Sequence, residues 1–368
     1  MSNFAIVGPT ESEFLARFRD GLKKEFVSHG YEFCAEPVED IRVVFNFIKP
    51  DRARPFRRKA QATFVISILE AEGIFESENS NEEIIKEGYP YLVRTLSNHF
   101  IYIRHGKEKT NVYFLTLEQG CYHITYQSGE EEKFFQQVFE RLEPLASSQL
   151  VINNNFIPDL PEHLWHGDET TQSLSASGKK LDEMNLLPAP FPLEEIVSER
   201  DMRHIKKLYG IGGLSYGNLS SRKDAHSFWM SASGVNKAQL KVIGQDILLI
   251  KNYNPEMNAM DISVPPSVTP RRASVDAIEH WMIYEEHPEV GAIVHVHAWM
   301  DGIPETQVNY PCGTIQLAET VADLVRKADD PARAVIGLKN HGLTITGTDL
   351  DDIFERIEGK IIPQVPMS

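Results

Sequence analysis

The segment Val290-Gly-Ala-Ile-Val-His295-Val-His297-Ala298 constrains this chain more than any other. It is short, apolar and β-branched, which predicts a buried strand. Side chains alternate along a strand, so His295 and His297 share one face. A lone His-x-His occurs on surface strands without any ligand. Inside an apolar strand, however, two unpaired imidazoles are costly to bury, and a shared divalent metal accounts for both. A third histidine, His341, stands in Gly337-Leu-Lys-Asn-His341-Gly342-Leu, which reads as a strand-turn-strand junction. Three neutral imidazoles with an open coordination position are the pattern of a catalytic zinc-type centre.

With 368 residues there is room for about two domains. No apolar run reaches the ~20 residues that cross a membrane, and Met1-Ser-Asn-Phe4 lacks the basic and apolar regions of a signal peptide. Cys34, Cys121 and Cys312 are too far apart in sequence to suggest a disulfide framework or a Cys-x-x-Cys site. A reducing, cytoplasmic setting is the simplest expectation. The net charge of −16 argues against general nucleic-acid binding, which needs a cationic surface. The expected partner is a small-molecule substrate, with no nucleic acid and no membrane.

Residues 1–150 read as an α+β domain. A helix is expected from Glu11 to about Ser28, since Phe14, Leu15, Phe18, Leu22 and Phe26 recur at helical spacing. Strands are expected at 41–48 and 62–69, a helix at 82–98, a hairpin from 100–104 and 112–116, and a further strand at 121–126. A last helix runs from Gly129 to about Leu142, with Pro144 as its stop signal. Helices and strands that do not alternate strictly suggest a mostly antiparallel sheet with helices on one side. Residues 151–190 read as a linker, from Pro158, Pro161, Pro188, Pro190 and the Ser/Thr/Gly stretch 170–178. The second domain then covers 191–368. Arg52, Arg54, Arg57, Arg58 and Lys59 cluster in a loop of the first domain; a solvated loop is favoured there over an anion site. That domain carries no Gly-x-Gly-x-x-Gly or Walker-type loop for a nucleotide.

Small-residue turns accompany the histidines. Gly217-Asn218-Leu-Ser220 leads into a strand, and Phe228-Trp-Met-Ser-Ala-Ser233-Gly234 ends one. Both expose backbone amides suited to an anion, although either alone reads more readily as an ordinary turn. Ser274-Val-Asp276 opens a helix, with Ser274 as its expected N-cap and Asp276 in its first turn, where the dipole favours a carboxylate.

Together these segments, over roughly residues 195–357, resemble the class II aldolase/adducin family, typified by fuculose-phosphate aldolase. The resemblance implies a three-layer α/β/α domain with a mainly antiparallel sheet, so the expected fold class is α/β with an additional N-terminal α+β domain. It implies that His295, His297 and His341 bind a divalent metal, zinc first, with manganese, cobalt or iron as alternatives. It also implies that Asp276, nineteen residues before His295, is the acid/base, and that Gly217, Asn218, Ser233, Gly234 and Ser274 cradle a substrate phosphate. Tyr310 is the candidate for the family's catalytic tyrosine, and a homo-oligomer, usually a tetramer, is implied. The chain departs from the aldolase pattern in three ways: Val275 replaces a second serine, the stretch from His297 to His341 is short, and little chain follows the helix at 350–361. The implied function is a metal-dependent lyase of class II aldolase type, making or breaking a C–C bond in a small hydroxy-carbonyl substrate through a metal-stabilised enediolate. Epimerase, dehydratase and decarboxylase reactions on the same site are alternatives. A non-catalytic, adducin-like scaffold is another, although it has no need of three metal ligands.

Overall fold

In a computed structural model the chain divides into two units, one of residues 1–147, 189–204 and 367–368, the other of 148–188 and 205–366. The structure describes residues 2–60, 63–75, 80–116, 120–151, 153–186, 195–203 and 217–368. Pro188 and Pro190 of the expected linker lie outside these.

The first unit is built on a seven-stranded sheet. Its elements are β1 (Asn3–Val7), α1 (Glu13–Ser28), β2 (Glu32–Cys34), β3 (Val43–Phe47), β4 (Phe64–Phe75), α2 (Asn81–Thr95), β5 (His99–Gly106), β6 (Thr110–Thr116), β7 (Cys121–Tyr126) and α3 (Glu131–Ser147). The strand order is β2-β1-β3-β4-β5-β6-β7. Four pairings, β1 with β2, β1 with β3, β3 with β4 and β4 with β5, are parallel, and only β5-β6-β7 is antiparallel. This corrects the expected mostly antiparallel sheet. The helices also lie on both faces. Phe26 of α1 meets Phe4, Phe45 and Phe139 of α3 on one side, while Tyr91 of α2 stacks on Phe100 on the other. Crossover helices place successive parallel strands in one sheet and therefore cover both faces. Pro144 lies inside α3 rather than ending it. The Arg58 guanidinium donates to the carbonyls of Thr63 and Leu96 and to Asn98 Oδ1. It thus ties the arginine loop to the starts of β4 and β5 and leaves Arg52 exposed beside Asp51.

The second unit contains β8 (Asn153–Ile157), α4 (Glu169–Glu183), β9 (Gly217–Arg222), β10 (Phe228–Ser231), β11 (Ile247–Asn254), β12 (Ala259–Ser263), α5 (Ala277–Glu286), β13 (Ala292–Val296), α6 (Ile315–Arg326), β14 (Val335–Leu338), β15 (Gly342–Gly347) and α7 (Leu350–Ile357). Its eight strands run β14-β15-β13-β9-β10-β11-β12-β8. All pairings are antiparallel except β12 with β8. Helices α4 and α7 pack against each other and on β9, β10, β13 and β15, while α5 and α6 pack together against β11 and β14. The unit is a mixed α/β fold with its apolar core on the sheet. Residues read as linker are structural here. Strand β8 closes the sheet edge, and α4 begins at Asp168, whose carboxylate accepts from the Thr171 amide in a capping box and from Trp229 Nε1. Prolines bracket these elements rather than dissolve them.

Candidate metal centre

Strand β13 lies between β9 and β15, and that placement builds the site. His295 is directly opposite Asn218 on β9 and Thr344 on β15, so the three side chains share one face. Close approach of the flanking strands depends on two glycines. A Cβ at Gly217, whose φ is +138°, would lie 2.0 Å from the His295 carbonyl oxygen, and one at Gly342 would lie 2.2 Å from that of Val296. His341 sits at the β14–β15 turn, where Asn340 takes a left-handed conformation (φ 59°) and the His341 amide donates to the Leu338 carbonyl.

The turn brings His341 Nε2 to 3.2 Å from His295 Nε2, and the ring centroids of His297 lie 5.1 and 4.9 Å from those of His295 and His341. One ligand nitrogen from each ring falls within 4.8 Å of the others. Two imidazoles on one tetrahedral ion at 2.0–2.1 Å have their nitrogens about 3.3 Å apart. The 3.2 Å separation therefore fits a shared ion, and the all-nitrogen donor set suits zinc, cobalt or iron. Burial, with the neighbouring His341 and His280, holds His295 neutral well below the usual histidine range, which is the form a ligand needs.

Helix α5 covers this face with polar side chains. Asp276 occupies its N-cap position yet makes no capping hydrogen bond. Ser274, the expected cap, stands before it. Asn218 Nδ2 and Ser274 Oγ both donate to Asp276 Oδ2, at 2.7 and 3.0 Å, and Asn218 Nδ2 also reaches Ser274 Oγ at 3.1 Å. Asn218 Oδ1 is buried without a partner, an acceptor that a bound hydroxyl would satisfy. One turn on, Glu279 accepts from Thr344 Oγ1, and burial together with the Asp276 charge pushes its carboxyl up to about 8. His280 bonds Ser220 Oγ through Nδ1 and is pushed down to about 4 by burial.

Ser233 and Gly234 turn at the end of β10, where the Ser233 amide donates to the Arg272 carbonyl and Ala232 pairs with Ala273. The pairing is antiparallel, so it sets Ser233 opposite Arg272 and the preceding Ser231 on the side of Ser274. Tyr310 is half-buried against the core in the loop before α6. In the same loop Cys312, which sequence spacing assigns to neither a disulfide nor a Cys-x-x-Cys site, falls with Asp276 and His341 into a second group of ligand atoms within 4.8 Å. Lys237 was also missed. It is buried, and burial pushes its ammonium down to about 8 against the attraction of Asp276. Its position three residues beyond Gly234 is the only sequence signal for it, and a lysine there reads as surface.

Residues 202–300 match the family model of the Class II Aldolase and Adducin N-terminal domain. Among curated proteins, the methylthioribulose-1-phosphate dehydratase of Sodalis glossinidius (strain morsitans) is 32% identical over 82 residues, which are 22% of this chain and 35% of that protein. The chain thus spans about a third of this relative's length. Among solved structures, an L-fuculose 1-phosphate aldolase aligns at 18% identity with a TM-score of 0.34, over 54% of this chain and 84% of the other. The L-fuculose-1-phosphate aldolase of Thermus thermophilus aligns at 18% identity with a TM-score of 0.29, over 50% and 86%. His341 lies beyond the matched segment, and the fold carries it back to His295. The similarity to the class II aldolase and adducin family thus lies in residues 202–300 of this chain.

Proposed function

We propose that the second unit is a metal-dependent lyase acting on a small hydroxy-carbonyl compound with an anionic, phosphate-like end. The observation that carries this reading is the convergence of three imidazole nitrogens with a buried carboxylate that caps nothing. His295, His297 and His341 would hold a divalent metal, zinc first, which supplies Lewis-acid polarisation of a substrate carbonyl. Asp276 Oδ2 is occupied by Asn218 and Ser274, so Oδ1 is left to take and return the substrate proton. Asn218 fixes the carboxylate and offers Oδ1 to a substrate hydroxyl. The Ser233 hydroxyl and the Gly234 amide would receive the anionic end, with Lys237 as the nearby buried cation, while the Ser233 amide and the Ser274 hydroxyl stay with Arg272 and Asp276 and hold the turn and the carboxylate in place.

Dehydration is the second reading. It is favoured by the 32% identity over 82 residues to a dehydratase; dehydration begins with removal of a proton beside the carbonyl and aldol cleavage with removal of a hydroxyl proton, and both leave negative charge on the carbonyl oxygen. The test is to incubate metal-loaded protein with ketose 1-phosphates and follow products by NMR. Retro-aldol cleavage gives two carbonyl fragments, whereas dehydration gives one product that has lost water. Absence of both turnover and solvent-deuterium exchange across the series would sink the lyase reading.

A further inference from the structure

We propose that His280 is the positioning residue of the metal ligand His295, acting through one buried water between His280 Nε2 and His295 Nδ1. This rests on the reading of the three histidines as a metal centre. His341 Nε2 approaches His295 at Nε2, so the ion takes that nitrogen and the ring proton of His295 stands on Nδ1. Metal-bound histidines almost always give that proton to a fixed acceptor, which sets the tautomer and the ring orientation. Here His295 is 1% exposed, and its Nδ1 has no hydrogen-bond partner. The Leu343 carbonyl lies close enough to favour a proton on the ring, yet Nδ1 makes no hydrogen bond to it.

The neighbouring strand sets out the acceptor. Asn218 on β9 is directly opposite His295, and Ser220 stands two residues further along the same face. Ser220 is thus the diagonal neighbour of His295, with Cβ atoms about 7 Å apart. His280 reaches from α5 onto Ser220, its Nδ1 2.8 Å from Ser220 Oγ. The same Oγ lies 2.8 Å from the Tyr284 hydroxyl. The Tyr284 ring packs on Phe228 and under the Arg222 guanidinium, at 4.8 and 4.7 Å, so the anchor is rigid. His280 is fully buried, and its Nε2, like His295 Nδ1, has no partner. A charge on His280 is felt at His295. Burial keeps the His280 ring neutral, so one of its nitrogens donates and the other accepts.

Two orphaned nitrogens in one buried patch are costly, and a water, with two donors and two acceptors, is the smallest bridge between them. The hydrogen bonds then run in one direction. His295 Nδ1–H donates to the water, the water to His280 Nε2, His280 Nδ1–H to Ser220 Oγ, and the Ser220 hydroxyl to Tyr284 Oη.

Zinc affinity, read by competition with a chromophoric chelator, tests this beside urea unfolding of the metal-free protein. His280→Leu should weaken zinc binding by about 10–100-fold, the usual worth of such a partner. The metal-free urea midpoint should move little, because the variant discards an orphaned nitrogen together with the Ser220 bond. His280→Gln, which carries a polar atom toward the Nε2 position, should restore most of the affinity. Unchanged zinc affinity in His280→Leu overturns the proposal and leaves the Leu343 carbonyl to orient His295. Equal weakening in the Leu and Gln variants overturns it as well. Should His280→Leu fail to fold, long-range proton–nitrogen NMR of the unaltered, zinc-loaded chain decides: His280 is expected as the Nδ1–H tautomer, and the Nε2–H tautomer overturns the assigned bonds. Folded wild-type protein that takes up no zinc overturns the centre itself, a result distinct from any difference between the variants.

Discussion

Asp276 stands where a helix cap would stand, but its carboxylate faces Asn218 and Ser274 instead of the first-turn amides. Asp276→Asn is therefore expected to keep the fold and the metal while lowering kcat by about 10²–10⁴-fold, the usual worth of a positioned acid/base. Full activity in that variant would show that the carboxylate does no proton transfer. Glu279, one turn on, makes a prediction about pH. Its folded pKa of about 8 lies above the ordinary 4.5. Between those values the folded state holds a proton that the unfolded state lacks, so stability falls as pH rises through the window, by at most ~1.4 kcal/mol per pH unit. Urea unfolding of the metal-free protein at pH 5 and pH 8 should show this decline, and Glu279→Gln should flatten it. Lys237 acts in the opposite sense at higher pH. Its folded pKa of about 8 lies below 10.5, so stability rises as pH climbs from about 8 toward 10.5.

The strand β13 and its neighbours form the element that carries the site. Ala at Gly217 or Gly342 would drive a Cβ into the backbone of β13. Either substitution should separate the strands, weaken metal binding and destabilise the protein by more than the ~1 kcal/mol of an ordinary glycine effect, seen as a lower melting temperature. Melting curves with and without zinc would check this, and an unshifted curve would contradict it. His295 and His297 were legible from the sequence because alternation along a strand is a local property. The His341 turn was legible because Asn-His-Gly marks a reversal of the chain. That the turn returns to β13 follows only from the non-local pairing of β13 with β15. The elements that went unread failed for physical reasons of the same kind. β8 is short, bears three asparagines and finds its partner about a hundred residues on in β12. α4 has a polar exposed face and begins after a proline-rich approach that looks like a linker. Asp168→Ala, which removes that helix's cap and the bond from Trp229, is expected to destabilise the protein by about 1–2 kcal/mol, measurable by denaturant titration.

At the scale of the whole chain, the expected combination of a mainly antiparallel second sheet with helices on both faces matches the structure, whereas the first unit departs from its expected pattern. β1 is only Asn3–Val7, and β3 passes to β4 through the arginine loop instead of a helix. Without a helical signal between them, two parallel strands look like a hairpin pair. The half-buried Arg58, which binds Thr63, Leu96 and Asn98, shows what that loop does: it ties the parallel crossover down. Lys237 and Cys312 were invisible for a different reason, since a lysine and a lone cysteine acquire meaning only from what the fold sets beside them. Among the described residues no helix is long and apolar enough to cross a membrane. The central claim, that three histidines from two separate segments hold one metal, is tested most directly by elemental analysis of the purified protein beside a His295→Ala/His297→Ala variant. The account predicts about one zinc, cobalt or iron per wild-type chain, and none in a variant that remains folded. Folded wild-type protein that takes up no metal even after reconstitution would contradict it.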